Sequence, residues 1–213
     1  VFSAAGETEI NVSEIVSAMV GGDVGEHYPK ENNSTEDVVL RASGLKTKLG
    51  VSDATFALRR GEVLGLGGVL GSGRTEIARA LFGVDKLTSG SVELDGASVK
   101  FRNEMEAIQA GIALVPENRK TDGLFFNFRA SGNITAASLA GISKLGLLDL
   151  AAEGAGTERL MNELEISAQA EAKTVNFLSG GNQQTIVIAR WLFADAQVWI
   201  LDEPTQGIDM WAK

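Results

Sequence analysis

Three short segments, in a fixed order along the chain, constrain its fold more than any other feature. A glycine-rich segment, Gly68–Thr75 (GVLGSGRT), is followed by Leu178–Gln184 (LSGGNQQ) and then by Val198–Glu203 (VWILDE). A glycine-rich turn before a helix exposes backbone N–H groups that bind phosphate. An apolar strand that ends in carboxylates delivers acids to a metal ion and to an attacking water. The order of the three segments therefore predicts a nucleotide-binding α/β domain.

The glycine-rich segment matches the P-loop pattern G-x-x-x-x-G-K-[S/T] at every position but one, because Arg74 stands where the pattern has lysine. The predicted phosphate-binding residues are Gly68, Gly71, Ser72, Gly73, Arg74 and Thr75. Thr75 is also a predicted Mg²⁺ ligand through its hydroxyl. A guanidinium is bulkier than an ammonium and forks, so Arg74 attracts phosphate but weakens the cradle. Taken alone, the segment equally fits an ordinary glycine-rich turn between a strand and a helix.

The two carboxylates that follow the apolar run Val198–Leu201 have different predicted roles. Asp202 is expected to face the Mg²⁺ shell, and Glu203 is the predicted catalytic residue, which polarises the attacking water. Two acids after a strand and before Pro204 are common, so the order of the motifs supplies the specificity.

The segment Leu178–Gln184 resembles the signature loop of the ATP-binding cassette (ABC) family. A hydroxyl followed by two glycines at a helix start forms an anion site, although a serine-capped helix start is the alternative. The resemblance implies that this loop closes in trans on the γ-phosphate of an ATP held by a second subunit. The residues that it assigns to this role are Ser179, Gly180, Gly181, Asn182 and Gln183.

Two further segments match ABC motifs in part. Val115–Lys120 (VPENRK) lies at the position of the Q-loop, with Glu117 where the family has glutamine. By composition alone, Asn118–Asp122 fits a solvated charged loop better. Gln206–Asp209 resembles the D-loop, which implies that Asp209 touches the opposing subunit. The strings LVPENRKTDG, GSGRTE and SGGNQQ resemble the second half of carbohydrate-importer ATPases of the ribose, galactose and xylose type, in which two cassettes are fused.

This resemblance implies a domain organisation. Residues 1–25 are similar to the last strand and helix of a first cassette, 26–37 form a linker, and 38–213 form most of a second cassette with a helical insert over about 130–172. The cassette is expected to be incomplete at its C-terminus, because the switch histidine of the family follows the D-loop and the only histidine here is His27. In this family each half completes the site of the other, and an arginine P-loop in the second half is usual.

The expected fold class is an α/β P-loop NTPase with a mostly parallel core sheet, an antiparallel β part and a helical subdomain. Periodicity and caps predict helices over Asn11–Val20, Thr75–Phe82 and Asn103–Gly111. The predicted strands are Val38–Leu40, Ala54–Leu58, Val63–Leu66, Ile112–Val115 and a central Val198–Leu201, with a hairpin turn at Asp95–Gly96. Glycines 141, 146, 154 and 156 are expected to interrupt the helices of the insert, and Trp191, Trp199 and Trp211 to pack in the core.

The composition of the chain disfavours some classes of function. The 19 basic and 28 acidic residues give a net charge of -9, which disfavours nucleic-acid binding. Without cysteine, the chain has neither disulfides nor a cysteine metal site. No apolar run approaches the roughly 18 residues of a membrane span, so membrane association is expected through a partner.

The favoured function is therefore the ATP-binding half of a monosaccharide importer, with ATP and Mg²⁺, at the cytoplasmic face of the inner membrane. The implied partners are the first cassette or a dimer mate, a membrane permease and, indirectly, a periplasmic sugar-binding protein. The alternative is a nucleotide-dependent interaction module that completes the site of its partner without hydrolysis. A soluble cassette protein of DNA repair or translation is a third hypothesis, which the acidic balance disfavours. The sequence does not identify the sugar.

Overall fold

The structure, a computed structural model, describes residues 33–167 and 169–206. Its compact unit begins at Ser34. The predicted helix over 11–20, His27, Asp209 and Trp211 lie outside the described residues, so the expectations for them stay predictions.

An antiparallel sheet forms one part of the described fold. Its strands are β1 (Val38–Thr47), β2 (Ala54–Arg59), β3 (Leu87–Leu94) and β4 (Ala97–Val99), in the order β2-β1-β3-β4. The predicted turn at Asp95 and Gly96 is confirmed, because both residues have positive φ (47° and 77°) and Leu94 pairs with Ala97. Positive φ at both central residues is the geometry of a two-residue hairpin.

A parallel pair of strands carries the predicted acids. Strands β5 (Ile112–Val115) and β8 (Val198–Leu201) pair in register from Ile112↔Val198 to Val115↔Leu201. Helix α2 (Glu104–Gln109) precedes β5, and its predicted cap is confirmed because Asn103 Oδ1 accepts from the N–H of Glu106 at 3.0 Å. Among the described residues the parallel part has these two strands alone, so β8 is an edge strand and not the predicted central one.

The prediction of a strand at Val63–Leu66 is wrong. This segment is irregular, and the side chain of Val63 is 98% exposed. Together with β8, this segment lines a groove of about 610 Å³, which Phe56, Leu58 and Ile77 also line. A strand that is apolar on both faces forms when neighbours pair with its backbone, and among the described residues no strand pairs with this segment.

Helix α1 (Arg74–Leu81) follows the P-loop segment and agrees with the predicted helix within one residue. At its end, the rings of Phe82 and Trp191 meet edge to face with centroids 5.7 Å apart. Trp191 is buried and Trp199 is half-buried, which confirms the predicted core packing for Trp191. The aromatic contact joins the end of α1 to the helix that carries the signature loop.

The segment over 130–172 and the residues after it are mainly helical. Its elements are α3 (Ala130–Thr135), a hairpin of β6 (Ser143–Lys144) and β7 (Leu147–Leu148), α4 (Leu150–Glu163), α5 (Gln169–Ala172) and α6 (Gly180–Phe193). The small hairpin is an element that periodicity did not predict. Gly141 and Gly146 lie in turns next to it.

Gly154 and Gly156 lie inside α4 and do not interrupt it, contrary to the prediction. The helix persists because Thr157, Leu160 and Met161 bury one of its faces. At Gly156 a Cβ would lie 2.5 Å from Cε2 of the Phe193 ring, whereas at Gly154 nothing lies within 4 Å. Gly156 therefore allows α4 to approach α6 closely, and Gly154 has no such role.

We expect opposite effects from adding a methyl group at these two positions. Gly156→Ala should lower the free energy of unfolding by about 1–3 kcal/mol, because the methyl overlaps the Phe193 ring. Gly154→Ala should raise it by roughly 0.5–1 kcal/mol, because alanine favours helix and the site is open. Urea unfolding of both variants is the measurement. Equal shifts of the same sign would contradict the packing described here.

A buried arginine ties α6 to α3. Arg190 Nε donates to the carbonyl oxygen of Asn133 at 2.8 Å and Nη2 donates to Asn133 Oδ1 at 3.2 Å. The guanidinium carbon lies 5.7 Å from the centroid of the Phe125 ring. Asn133 also donates to the carbonyl oxygen of Phe125 at 3.0 Å. Burial lowers the pKa of Arg190 to about 10, so the guanidinium is still charged at neutral pH.

Candidate nucleotide-binding site

The P-loop segment ends at the N-terminus of α1, where Gly73 is buried and Arg74 and Thr75 are half-buried. Gly71 and Gly73 have φ of 78° and 91°, and Gly73 is the residue that precedes α1. A left-handed conformation of this kind favours glycine. A Cβ at Gly68 would lie 2.2 Å from Ser72 Oγ, so the loop folds back tightly at that position. The first N–H groups of α1 have no partners within the helix and are available to an anion.

An ion pair joins this segment to the acid pair. Arg74 Nη1 lies 3.3 Å from Glu203 Oε1, and the two side chains are 35% and 52% exposed. The two residues are far apart in sequence, and both line the groove beside β8. An ion pair this accessible contributes about 0–1 kcal/mol. A phosphate that binds Arg74 can therefore displace Glu203 at a small cost.

The acids follow β8 directly. The N–H of Asp202 donates to the carbonyl oxygen of Val115 at 2.9 Å, which continues the pairing of β8 with β5. Glu203 then has φ of 46°, the left-handed region, and its carbonyl oxygen accepts from the N–H of Gln206 at 3.0 Å. For a residue other than glycine such a conformation costs on the order of 1–3 kcal/mol. Surrounding contacts must therefore hold the turn.

Those contacts come from the loop at the Q-loop position. Glu117 Oε1 accepts from Gln206 Nε2 at 3.1 Å, and Arg119 Nη1 donates to the carbonyl oxygen of Gln206 at 2.6 Å. Arg119 begins a π-helical turn, Arg119–Gly123, and the side chain of Asn118 caps it by accepting from the N–H of Lys120. The sequence pattern indicates Glu117 as a site residue but assigns no role in the site to Gln206, whose contacts with this loop have no local signal.

The signature loop lies at the start of α6. Ser179 is exposed, and its Oγ accepts from the N–H of Asn182 at 3.3 Å as the helix cap. Gln183 is buried, and its Nε2 donates to the carbonyl oxygens of Val175 at 3.0 Å and Leu178 at 3.3 Å. The Gln183 side chain therefore holds the loop from inside. Gly180 and Gly181 form the first turn of α6 together with Asn182.

The structure brings together some of the residues predicted from the sequence and not others. Arg74, Asp202 and Glu203 line the groove beside β8, and Arg74 pairs with Glu203. The other predicted phosphate-binding residues do not line it: Gly68, Gly71, Ser72, Gly73 and Thr75. Among the described residues that line this groove there is none from the signature loop. The signature loop is therefore not part of the groove, and its first residue with a predicted role, Ser179, is exposed.

Within the described part of the chain, no group of three or more histidine and acidic residues is arranged to hold a metal ion. Mg²⁺ in nucleotide sites is bound by one or two protein oxygens together with phosphate oxygens and water. Thr75 and Asp202 suit that donor set. In the same ranges, no helix combines the length and the hydrophobicity that crossing a bilayer requires.

The comparisons with known proteins agree on the family. A family model described as "ABC transporter" matches residues 51–206. The chain is 40% identical over 205 residues to the ribose import ATP-binding protein RbsA of Lactococcus lactis subsp. cremoris, an alignment that covers 96% of this chain and 42% of that protein. It is 42% identical over 207 residues to a putative ribose/galactose/methyl galactoside import ATP-binding protein of Agrobacterium fabrum, with 96% and 41% covered. The chain thus spans about two fifths of the length of these relatives.

Solved structures support the fold. One is an ATP-binding cassette of an ABC transporter in its ADP conformation, with a TM-score of 0.65 at 18% identity over 82% of this chain and 72% of that chain. Another is a dimeric, post-hydrolysis cassette bound to ADP and Pi, with a TM-score of 0.66 at 21% identity over 81% and 77%. The chain belongs to the ABC transporter family and has the fold of its ATP-binding cassette.

Proposed function

We propose that this chain is the second cassette of a sugar-import ATPase and that it completes the ATP site of a partner cassette with its signature loop. The observation that carries the proposal is the arrangement of Ser179. Its cap turn at the start of α6 is exposed and lies apart from the groove that holds Arg74 and Glu203. The names of the relatives, which are ribose and galactose import ATP-binding proteins, support the substrate class.

The ATP that this chain itself holds is proposed to bind at the groove beside β8. The N–H groups of the P-loop and the side chain of Arg74 bind the phosphates of ATP. Thr75 and Asp202 would hold Mg²⁺, and the ion would neutralise part of the phosphate charge. Glu203 would accept the proton of an attacking water. Because Arg74 engages the Glu203 carboxylate, we propose that this is the weaker of the two sites.

The proposed partners follow from the same arrangement. The γ-phosphate that Ser179 and the neighbouring N–H groups contact belongs to ATP held by the first cassette of the same polypeptide or by a dimer mate. Asp209 is proposed to touch that partner. A membrane permease would receive the motion of the cassettes at the cytoplasmic face, and a periplasmic binding protein would deliver the sugar.

The second candidate function is an interaction module that binds nucleotide and does not hydrolyse it. The observation that favours it is the ion pair between Arg74 and Glu203, which engages both the phosphate-binding cation and the general base. Both functions require nucleotide binding, and they differ in turnover at this site.

Nucleotide titration followed by turnover separates the two functions. We expect the isolated chain to bind a fluorescent ATP analogue and to hydrolyse ATP far more slowly than the intact protein with both cassettes. Turnover by the isolated chain at about 1 per second or more, a rate typical of enzymes, would exclude the interaction module. Absence of nucleotide binding in the intact protein would contradict both functions.

A further inference from the structure

Gln206 connects the turn that carries Glu203 to the loop after β5 through hydrogen bonds to three residues. Its N–H donates to the carbonyl oxygen of Glu203 at 3.0 Å, its side-chain amide donates to Glu117 at 3.1 Å, and its carbonyl oxygen accepts from Arg119 at 2.6 Å. These bonds connect the left-handed Glu203 to the loop that follows β5. A left-handed residue other than glycine persists where its surroundings fix it.

The fixed turn has an electrostatic consequence. With its backbone held there, Glu203 places Oε1 3.3 Å from Arg74 Nη1. Arg74 is the first residue of α1, at the helix end whose N–H groups attract anions. The Glu203 carboxylate therefore occupies a cation that a phosphate would also use. Any phosphate that reaches Arg74 must compete with an anion belonging to the protein.

We propose that Gln206 is a positioning residue that holds Glu203 against Arg74 and thereby lowers the nucleotide affinity of this site. The inference rests on the proposed function, because it concerns the same phosphate site, and it adds the residue that controls the affinity. Gln206 acts through Glu203 and does not itself contact the phosphate.

The proposal predicts tighter ADP binding from a substitution whose added negative charge would by itself weaken ADP binding. Gln206→Glu replaces the amide that donates to Glu117 with a carboxylate, so the two side chains repel and the turn loosens. The added negative charge alone would weaken nucleotide binding. Release of Arg74 from Glu203 should instead strengthen it, and we expect Mg²⁺-free ADP to bind about twofold to threefold more tightly, the scale of an accessible ion pair.

Three further variants complete the design. Glu203→Asp keeps the charge but shortens the side chain away from Arg74, so ADP should again bind about threefold more tightly. Glu117→Gln combined with Gln206→Glu exchanges donor and acceptor, which restores the hydrogen bond and should restore the affinity of the unmodified protein. Thr205→Glu adds the same charge one residue earlier, at an exposed position outside the three bonds, and should leave the affinity unchanged or weaken it.

Isothermal titration of the intact protein with ADP provides these affinities, and hydrogen exchange of the segment 202–206 reports the turn independently. We expect exchange to accelerate in Gln206→Glu and to recover in the exchanged pair. If the unmodified protein binds ADP, but Gln206→Glu and Glu203→Asp bind it no more tightly than the unmodified protein does, the positioning role of Gln206 would be overturned. The proposed function would still stand. Absence of ADP binding in the unmodified protein would overturn the proposed function and this inference with it.

Discussion

Replacing Ser179 with arginine is expected to abolish ATP turnover by the intact protein, a loss of at least about 100-fold. The proposed site in trans places the Ser179 hydroxyl and the neighbouring N–H groups on a developing phosphate charge, and groups of this kind contribute on the order of 100-fold or more each. A long cationic side chain at this position would occupy the space of the γ-phosphate and keep the two cassettes from closing.

The fold should tolerate this change, which makes the result interpretable. Ser179 is exposed, and its side chain accepts one cap bond, from the N–H of Asn182. Loss of a cap of this kind costs about 1 kcal/mol. Ser179→Thr keeps the cap and serves as the matched control, with turnover expected to fall by less than about tenfold. Turnover by Ser179→Arg at the rate of the unmodified protein would refute the role in trans.

Replacing Arg190 with alanine is expected to lower the free energy of unfolding by about 2–4 kcal/mol. The change removes two hydrogen bonds to Asn133 and the guanidinium that faces the Phe125 ring. It also leaves a buried carbonyl oxygen without this donor, and an unsatisfied buried polar group costs roughly 1–3 kcal/mol. Loss of packing around the missing side chain adds to the effect.

Urea unfolding measures this loss, and Arg190→Lys is its control. Lysine keeps the charge but lacks the fork that reaches both Asn133 oxygens, so an intermediate loss is expected. Arg190 lies on α6, the helix that begins at Ser179. If Arg190→Ala were as stable as the unmodified protein, the conclusion that this hydrogen-bond network holds α6 on α3 would be contradicted.

Local signals were sufficient for several elements of the fold. The turn residues Asp95 and Gly96 specify their hairpin because few other residues adopt positive φ in succession. Asn103 and Glu106 specify the start of α2 because the cap bond joins neighbours in the sequence. The order of the motifs predicted the family, which depends on the residues themselves and not on how they pack.

The errors concern long-range contacts. Val63–Leu66 has the composition of a strand, yet strand formation depends on neighbours that the local sequence does not contain. Gly156 was expected to interrupt a helix because nothing nearby in sequence indicates the Phe193 ring against it. The candidate site likewise depends on long-range contacts that the local sequence does not show. Its residue types were predicted, whereas the pairing of Arg74 with Glu203 and the contacts of Gln206 arise from the tertiary fold.

The most direct measurement is a crystal structure of the intact protein with a non-hydrolysable ATP analogue and Mg²⁺. We expect the γ-phosphate of one nucleotide between the P-loop of the partner cassette and the turn at Ser179, within hydrogen-bond distance of the serine hydroxyl. Nucleotide bound away from this turn and away from Arg74, or a Ser179 turn facing the interior of its own domain in the closed assembly, would contradict this expectation.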